Sequence, residues 1–383
     1  MILVVKIIFW LSLFIIFYTY AGYPLLLILL TRFKKKRSQS NSYDLSADNL
    51  PPVTMVIAAF NEESILEAKI QNTLSLNYPI DKYQILFITD GSTDRSNEIV
   101  KAYPGVKLMF QAERKGKLDA VNRAIKNIDT EIVIFSDANT MLNKHSILNL
   151  IRHFKDEKVG GVAGEKKVLE ADGQTGAEGA YWKYESFLKK LDSRLYSVVG
   201  AAGELFCMRT SLYEPLQGII IEDFVQSLLI CKKGYVIRYE PDAFATETAS
   251  LSLDDERERK TRISAGGFQA IGKLAGLLNI FRFGTLSFQY ISHRVLRWTL
   301  APLSLILLLL ASLYLYIYTS NEFYAVTFWL QVVGYTAALI GWVTRLQLFH
   351  LPFYFFFMNL CVVTGFFRYL RGTQQATWHK ASR

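Results

Sequence analysis

Cysteine and histidine are scarce in this chain, and the scarcity excludes whole classes of protein. Three cysteines in 383 residues (Cys207, Cys231 and Cys361), at unrelated spacings, rule out a disulfide framework and a structural zinc site. Five histidines, none paired at i, i+4, argue against a His-rich metal centre. No Gly-x-Gly-x-x-Gly follows the first strand-like run and no Walker-type loop occurs, so a dinucleotide or P-loop phosphate cradle is missing. Charge is thin as well, at 20% of residues against 51% hydrophobic, and the mean hydropathy is +0.18. A soluble domain clothes its surface in charge, so a positive chain average indicates a membrane protein with a soluble part. What charge there is sums to +9, which suits nucleic acid, anionic lipid or a phosphorylated substrate.

The apolar residues gather at the two ends. Ile2 to Leu30 is broken only by Lys6 and is long enough to cross a hydrocarbon core of ~30 Å. A cleaved signal peptide is the alternative, but its apolar core would run only ~7–15 residues. Arg32-Phe33-Lys34-Lys35-Lys36-Arg37 follows at once, and a basic cluster beside a span marks the cytoplasmic side. Thr299–Tyr318 and Phe323–Val343 are uncharged and long enough to span, whereas Leu351–Phe367 is shorter and fits a span or a re-entrant segment. Four spans would put the C-terminus outside, yet Arg368, Arg371, Lys380 and Arg383 favour the inside, so the last segment stays open. Residues 259–298 are apolar but carry Lys273, Arg282, His293, Arg294 and Arg297, which suits helices lying in the headgroup plane. The expected division is therefore a transmembrane helix (1–31), a cytosolic domain (50–258), interfacial amphipathic helices (259–298), three candidate spans (299–370) and a basic tail (371–383).

The middle of the chain reads differently. Val53–Ala59, Gln84–Asp90, Val106–Phe110 and Ile132–Asp137 are short apolar strand-like runs, separated by helical patterns at 65–74, 97–102 and 117–127. Alternating strands and helices with short connections predict an α/β domain with a mainly parallel sheet covered on both faces. Ligands of such sheets bind beyond the carboxyl ends of the strands. Here those ends carry Asn61 and Glu62, Asp90, and Asp137. Each alone would serve equally as a helix cap or turn former.

Asp137-Ala138-Asn139 sets two oxygen-bearing side chains one residue apart at a strand end, which suits Mg²⁺ or Mn²⁺ completed by substrate phosphates. Alone it also fits an Asx turn. Glu222-Asp223 could take a proton from an acceptor hydroxyl, or could simply favour a helix N-terminus. The charged stretch 254–262 reads as a solvated helix face with pairs such as Glu258–Arg262, or as cations over a diphosphate. Lys117 offers the same choice between surface and site.

Taken in order, these segments resemble the membrane-bound family 2 glycosyltransferases of fold type A, the group of cellulose, hyaluronan, chitin and poly-N-acetylglucosamine synthases. Ala58-Ala-Phe-Asn61-Glu62 is similar to the family's first-strand motif, Asp90-Gly-Ser-Thr-Asp94 to its nucleotide-binding turn, and Lys117–Asn122 to its K-x-x-A-L-N helix start. Asp137-Ala-Asn139 stands at the D-x-D position, Gly203–Arg209 at the acceptor-lining segment, Glu222-Asp223 at T-E-D, and Arg259–Ile263 at Q-x-x-R-W. The resemblance implies a single nucleotide-diphospho-sugar-binding (GT-A) domain with transmembrane and interfacial helices, in the bacterial inner membrane with its catalytic domain cytoplasmic. It implies a donor, most readily a UDP-sugar, bound through Ala58, Asn61, Glu62, Asp90, Lys117, Asp137, Glu222, Arg259 and Arg262. Mg²⁺ or Mn²⁺ would sit on Asp137 and Asn139. Asp223 would be the base that activates a glycan or lipid-linked acceptor for inverting transfer, with no covalent protein intermediate. The implied partners are membrane lipid and, left open, an oligomer or accessory subunit. Nucleic acid is not among them, since the basic cluster beside the span belongs with lipid.

Three departures bear on this. Asn139 replaces the second acid of D-x-D, Ile221 stands where threonine is common, and Arg259 and Ile263 replace the glutamine and tryptophan of Q-x-x-R-W. An isoleucine offers no ring for an acceptor sugar to stack on, so addition of one or a few sugars is as well supported as polymerisation. Arg294-Val-Leu-Arg297-Trp298 repeats the R-x-x-R-W spelling and is expected to be an interfacial anchor. A polyprenyl-phosphate glycosyltransferase adding one sugar, and a non-catalytic membrane scaffold, are the rival readings.

Overall fold

The computed structural model describes residues 1–34, 49–169, 175–218, 220–248, 252–344 and 346–373. Lys35, Lys36 and Arg37 of the basic cluster, and Lys380 and Arg383 of the tail, lie outside the described residues. The described chain divides into two compact units, one of residues 34, 49–169 and 182–248, the other of 1–33, 175–181, 252–344 and 346–373.

The first unit is an α/β fold on eight strands: β1 (Val53–Ala59), β2 (Tyr83–Asp90), β3 (Lys107–Gln111), β4 (Ile132–Asp137), β5 (Thr140–Leu142), β6 (Val159–Leu169), β7 (Leu205–Arg209) and β8 (Val236–Thr248). Their order is β3-β2-β1-β4-β7-β6-β8-β5. β3, β2, β1 and β4 run parallel, as the alternation predicts, and β6 runs parallel to β8. β7 and β5 pair antiparallel with their neighbours. Val53, Met55, Ile57, Phe87, Ile132 and Ile134 are fully enclosed in the core, which is why these strands are continuous apolar runs. Each such side chain contributes roughly 1.5–3 kcal/mol on burial. The register sets Ala58 beside both Ile88 and Asp137, so β1, β2 and β4 end along one rim.

The second unit is helical. Among the described residues four helices are long and apolar enough to cross a membrane: Ile2–Arg32, Leu300–Tyr318, Glu322–Thr344 and Gln347–Leu370. The last is longer than its sequence pattern indicates, because helix continues through His350 and Arg368. Pro24 has no N–H for the carbonyl four residues back, and the first helix takes a π turn at Tyr18–Gly22 just before it. Hydrogen bonds tie the helices together: Tyr20 donates to Asn359 (3.0 Å), Gln331 to Ser312 (3.0 Å), and Tyr18 pairs with Ser292 (2.8 Å).

Residue 258 falls inside an unbroken helix, Leu253–Lys273, started by the Ser252 hydroxyl accepting from the Asp255 amide. Glu258 feels the charge of Arg262 at the expected i, i+4 spacing, and more strongly that of Arg368. It takes both nitrogens of Arg368, because the helix packs along His350–Leu370 with Gly365 seated against Ser264 and Ala265. The second R-x-x-R-W spelling is likewise internal: Arg297 is buried, and the Trp298 ring lies against Gly267.

Candidate active site

The rim formed by β1, β2 and β4 is built from turns that only certain residues allow. Asn61, just past β1, has φ +52°, a left-handed conformation that asparagine tolerates better than most side chains. Its amide group reaches the next turn, accepting from the Thr93 N–H at 2.9 Å. The Glu62 N–H donates to Ser96 Oγ, and Asp94 accepts from the Glu63 N–H. The first-strand motif and the Asp90–Asp94 turn are thus one hydrogen-bonded assembly.

Asp90 ends β2 and is buried. One of its oxygens accepts the N–H groups of Lys115 (2.9 Å) and Gly116 (2.5 Å), which sets the start of the helix Lys117–Ile125. The next residue, Lys117, sends its ammonium to Asp137 (2.9 Å) and Glu222 (3.2 Å). Burial works against that ammonium, but Asp137, Glu222 and Asp223 together hold it well above the usual lysine range. Ala58, Ala59, Phe60, Ile88, Asp90, Arg114, Gly116, Lys117 and Ala120 line a small cleft. The Arg114 guanidinium covers it, 3.6 Å above the Phe60 ring.

Asp223 lies in the first turn of the helix Glu222–Lys232. Burial, reinforced by Glu222 and Glu204 and opposed by Lys117, pushes its carboxyl up to about 7. Two glycines lie beside it and its neighbour Phe224. A Cβ on Gly203 would stand 3.4 Å from Lys117 Nζ and 3.5 Å from Asp223 Oδ2, and a Cβ on Gly200 (φ +84°) would meet the Phe224 ring at 2.1 Å. Asp90, Asp137 and Asp223, far apart in the chain, are thereby gathered around the Lys115–Lys117 segment.

Asn139 donates its amide nitrogen to Glu247 at 3.0 Å. Arg259 belongs to the helical unit and pairs with Glu256 at 3.0 Å, and Arg262 lies one turn on along the same helix. Among the described residues no three His, Cys, Asp or Glu side chains are grouped closely enough to hold a metal ion by themselves, so any divalent cation here would need ligands from a substrate. Three carboxylates face the Lys117 ammonium, an oxygen-rich and net-negative set of the kind that Mg²⁺ or Mn²⁺ binds together with phosphates. Asp137 is the exposed member at the strand end, with 31% of its side chain in solvent.

Several groups escaped the sequence reading. Lys69 is fully buried, donating to Ser136 Oγ (2.8 Å) and the Thr140 carbonyl (2.7 Å) on either side of Asp137. Its position was visible, since 66, 69, 70 and 73 form the buried stripe of the helix Glu63–Leu74. Arg114 had only the neighbouring Lys-Gly to mark it. Lys166, Glu204 and Glu247 come together from three different strands or loops and had no local signal.

The description "Glycosyl transferase family 2" matches residues 54–216, the stretch that holds Asn61, Asp90, Lys117 and Asp137. That segment, less than half of the chain, is similar to the family 2 glycosyltransferases. It is 26% identical over 238 residues to the poly-beta-1,6-N-acetyl-D-glucosamine synthase of Staphylococcus aureus, a match covering 60% of this chain and 57% of that protein. It is also 26% identical over 243 residues to the probable glycosyltransferase YdaM of Bacillus subtilis, covering 57% and 55%. The match thus spans little more than half the length of these curated relatives. Among solved structures, the mannosyltransferase PcManGT from Pyrobaculum calidifontis, in complex with GDP-Man and Mn²⁺, aligns at TM-score 0.69 and 20% identity, over 95% of this chain and 100% of that one. The α/β unit therefore has the GT-A fold.

Proposed function

We propose that the protein moves a sugar from a nucleotide-diphosphate donor, most readily a UDP-sugar, to a glycan or lipid-linked acceptor, with inversion at the anomeric carbon. The reaction takes place at the cytoplasmic face of a bacterial inner membrane, in the synthesis of cell-surface or extracellular polysaccharide. The observation that supports this reading is Asp223: a carboxyl raised towards neutrality by burial, near Lys117, whose ammonium pairs with Asp137. A group with that affinity can take a proton from an acceptor hydroxyl as the hydroxyl attacks, which is the requirement for direct displacement.

The other residues divide the remaining work. The Ala58–Glu62 strand end and Asp90 shape the cleft for the base and ribose, with Arg114 and Phe60 as its cover. Asp137 and Asn139 would hold a divalent ion. When bound, that ion neutralises the diphosphate as it leaves. Lys117 keeps the carboxylates from repelling one another and offers its ammonium to the same charge. Glu222 raises the proton affinity of Asp223. The four apolar helices support the membrane placement, and the curated synthase relative supports the polysaccharide assignment. The test is stereochemical. NMR of the first product should show the anomeric configuration opposite to that of the donor; retention would rule out single displacement by Asp223.

A further inference from the structure

Asn139 is the residue at which the metal-binding pair of the proposed site loses a charge, and the fold places another charge beside it. Thr140, at the start of β5, pairs with Glu247 on β8, so the antiparallel register brings Glu247 beside Asn139. Asn139 Nδ2 donates to Glu247 Oε1 at 3.0 Å. The other oxygen of Glu247 takes the Lys166 ammonium, which also holds Glu204 at 2.5 Å and lies 4.9 Å from the Trp182 ring centre. Only 1% of the Lys166 side chain and 7% of that of Glu247 are exposed. A carboxylate gripped by a buried ammonium offers acceptors alone, so the amide edge facing it must be the NH₂ group. The carbonyl oxygen of Asn139 is then turned away from Glu247.

We propose that Glu247 is a positioning residue that fixes the amide of Asn139 with its oxygen free to ligate a divalent cation, so that the Asn139–Glu247 pair does the work of the absent second acid. Lys166 holds Glu247 in place from behind. The inference rests on the reading of the site as one for a nucleotide diphosphate and a divalent ion. An amide oxygen is an adequate ligand for a hard cation, provided that the NH₂ group does not face the ion instead.

The consequence runs against simple motif logic. Asn139→Asp restores two acids at the strand end, yet it sets two carboxylates in hydrogen-bond contact in a nearly enclosed place, where like charges repel strongly. In the double variant N139D/E247Q, the amide introduced on β8 donates to the carboxylate introduced at the strand end, recreating the contact with its polarity reversed.

The experiment is Mn²⁺ titration, read by electron paramagnetic resonance, of the full chain in lipid with UDP and separately with GDP present. N139D should bind Mn²⁺ about tenfold or more weakly, in the range that outer-shell changes produce, and N139D/E247Q should recover the parent affinity. Binding by N139D as tight as in the parent, or a double variant no better than N139D, would overturn the proposal. Should N139D not fold, E247Q alone decides: binding several-fold weaker supports the proposal, and unchanged binding overturns it. D137N separates the two levels of the argument. If it binds Mn²⁺ and nucleotide as the parent does, the site reading itself fails. If it loses Mn²⁺ binding, the N139D and E247Q results bear on the proposal alone.

Discussion

Replacing Asp223 by asparagine should make the protein more stable while ending transfer. In the folded chain the Asp223 carboxyl is raised from 3.8 to about 7, first by burial and then by Glu222. The folded state therefore holds this proton more tightly than the unfolded chain does, and the resulting stability is present below pH 4 and lost as the pH rises through 7. At ~1.4 kcal/mol per unit, keeping the side chain ionised at pH 8 costs about 4 kcal/mol. An asparagine side chain keeps the shape and removes that cost. Thermal melts of parent and D223N at pH 5 and pH 8 should separate at the higher pH and draw together at the lower. The activity of the parent should follow the same group, with kcat/KM falling about tenfold for each pH unit below 7. Lys117→Met should move that midpoint upward, because the ammonium is the charge that lowers the Asp223 value. Equal melting of D223N and parent at pH 8, or a flat rate profile between pH 5 and 8, would refute the reasoning.

Other outcomes follow from single contacts. Lys69→Met deletes two buried hydrogen bonds and should cost about 1–3 kcal/mol in denaturant unfolding at neutral pH. Burial lowers the Lys69 value from 10.5 to about 7, so the unfolded chain binds a proton that the fold has shed. Parent stability should thus gain a component between pH 7 and 10 that K69M lacks. Gly200→Ala forces a side chain into left-handed backbone and into the Phe224 ring, and should lose about 2–4 kcal/mol and most transfer. Chelation with EDTA should stop transfer and Mg²⁺ or Mn²⁺ restore it, with D137N needing more metal; full activity in chelator would remove Asp137 from that role.

The half of the fold that was legible in sequence is the half whose strands are neighbours in the chain. β1, β2 and β4 are buried on both faces, so each is a largely apolar run, whereas β3 is a part-exposed edge strand; the acids that end β2 and β4 stand at one rim because parallel strands share a direction. β6, β7 and β8 pair across long separations, and nothing local announces that Lys166 will meet Glu204 and Glu247. Lys117 was ambiguous for a related reason. A lysine after Arg-Lys-Gly reads as surface until its partners, 20 and 105 residues away, are known to converge on it. The i, i+4 spacing of Glu258 and Arg262 was legible, but nothing local announced the cation on another helix, Arg368, which adds two hydrogen bonds.

The most direct measurement is sugar transfer by the purified chain in lipid, given a panel of labelled nucleotide sugars with Mn²⁺, alongside D223N. The parent should place label from one donor into an acceptor, while D223N binds that nucleotide sugar as tightly and transfers nothing. Undiminished transfer by D223N, or no transfer from any donor by the folded parent, would contradict the central claim that Asp223 is the base of a glycosyl transfer.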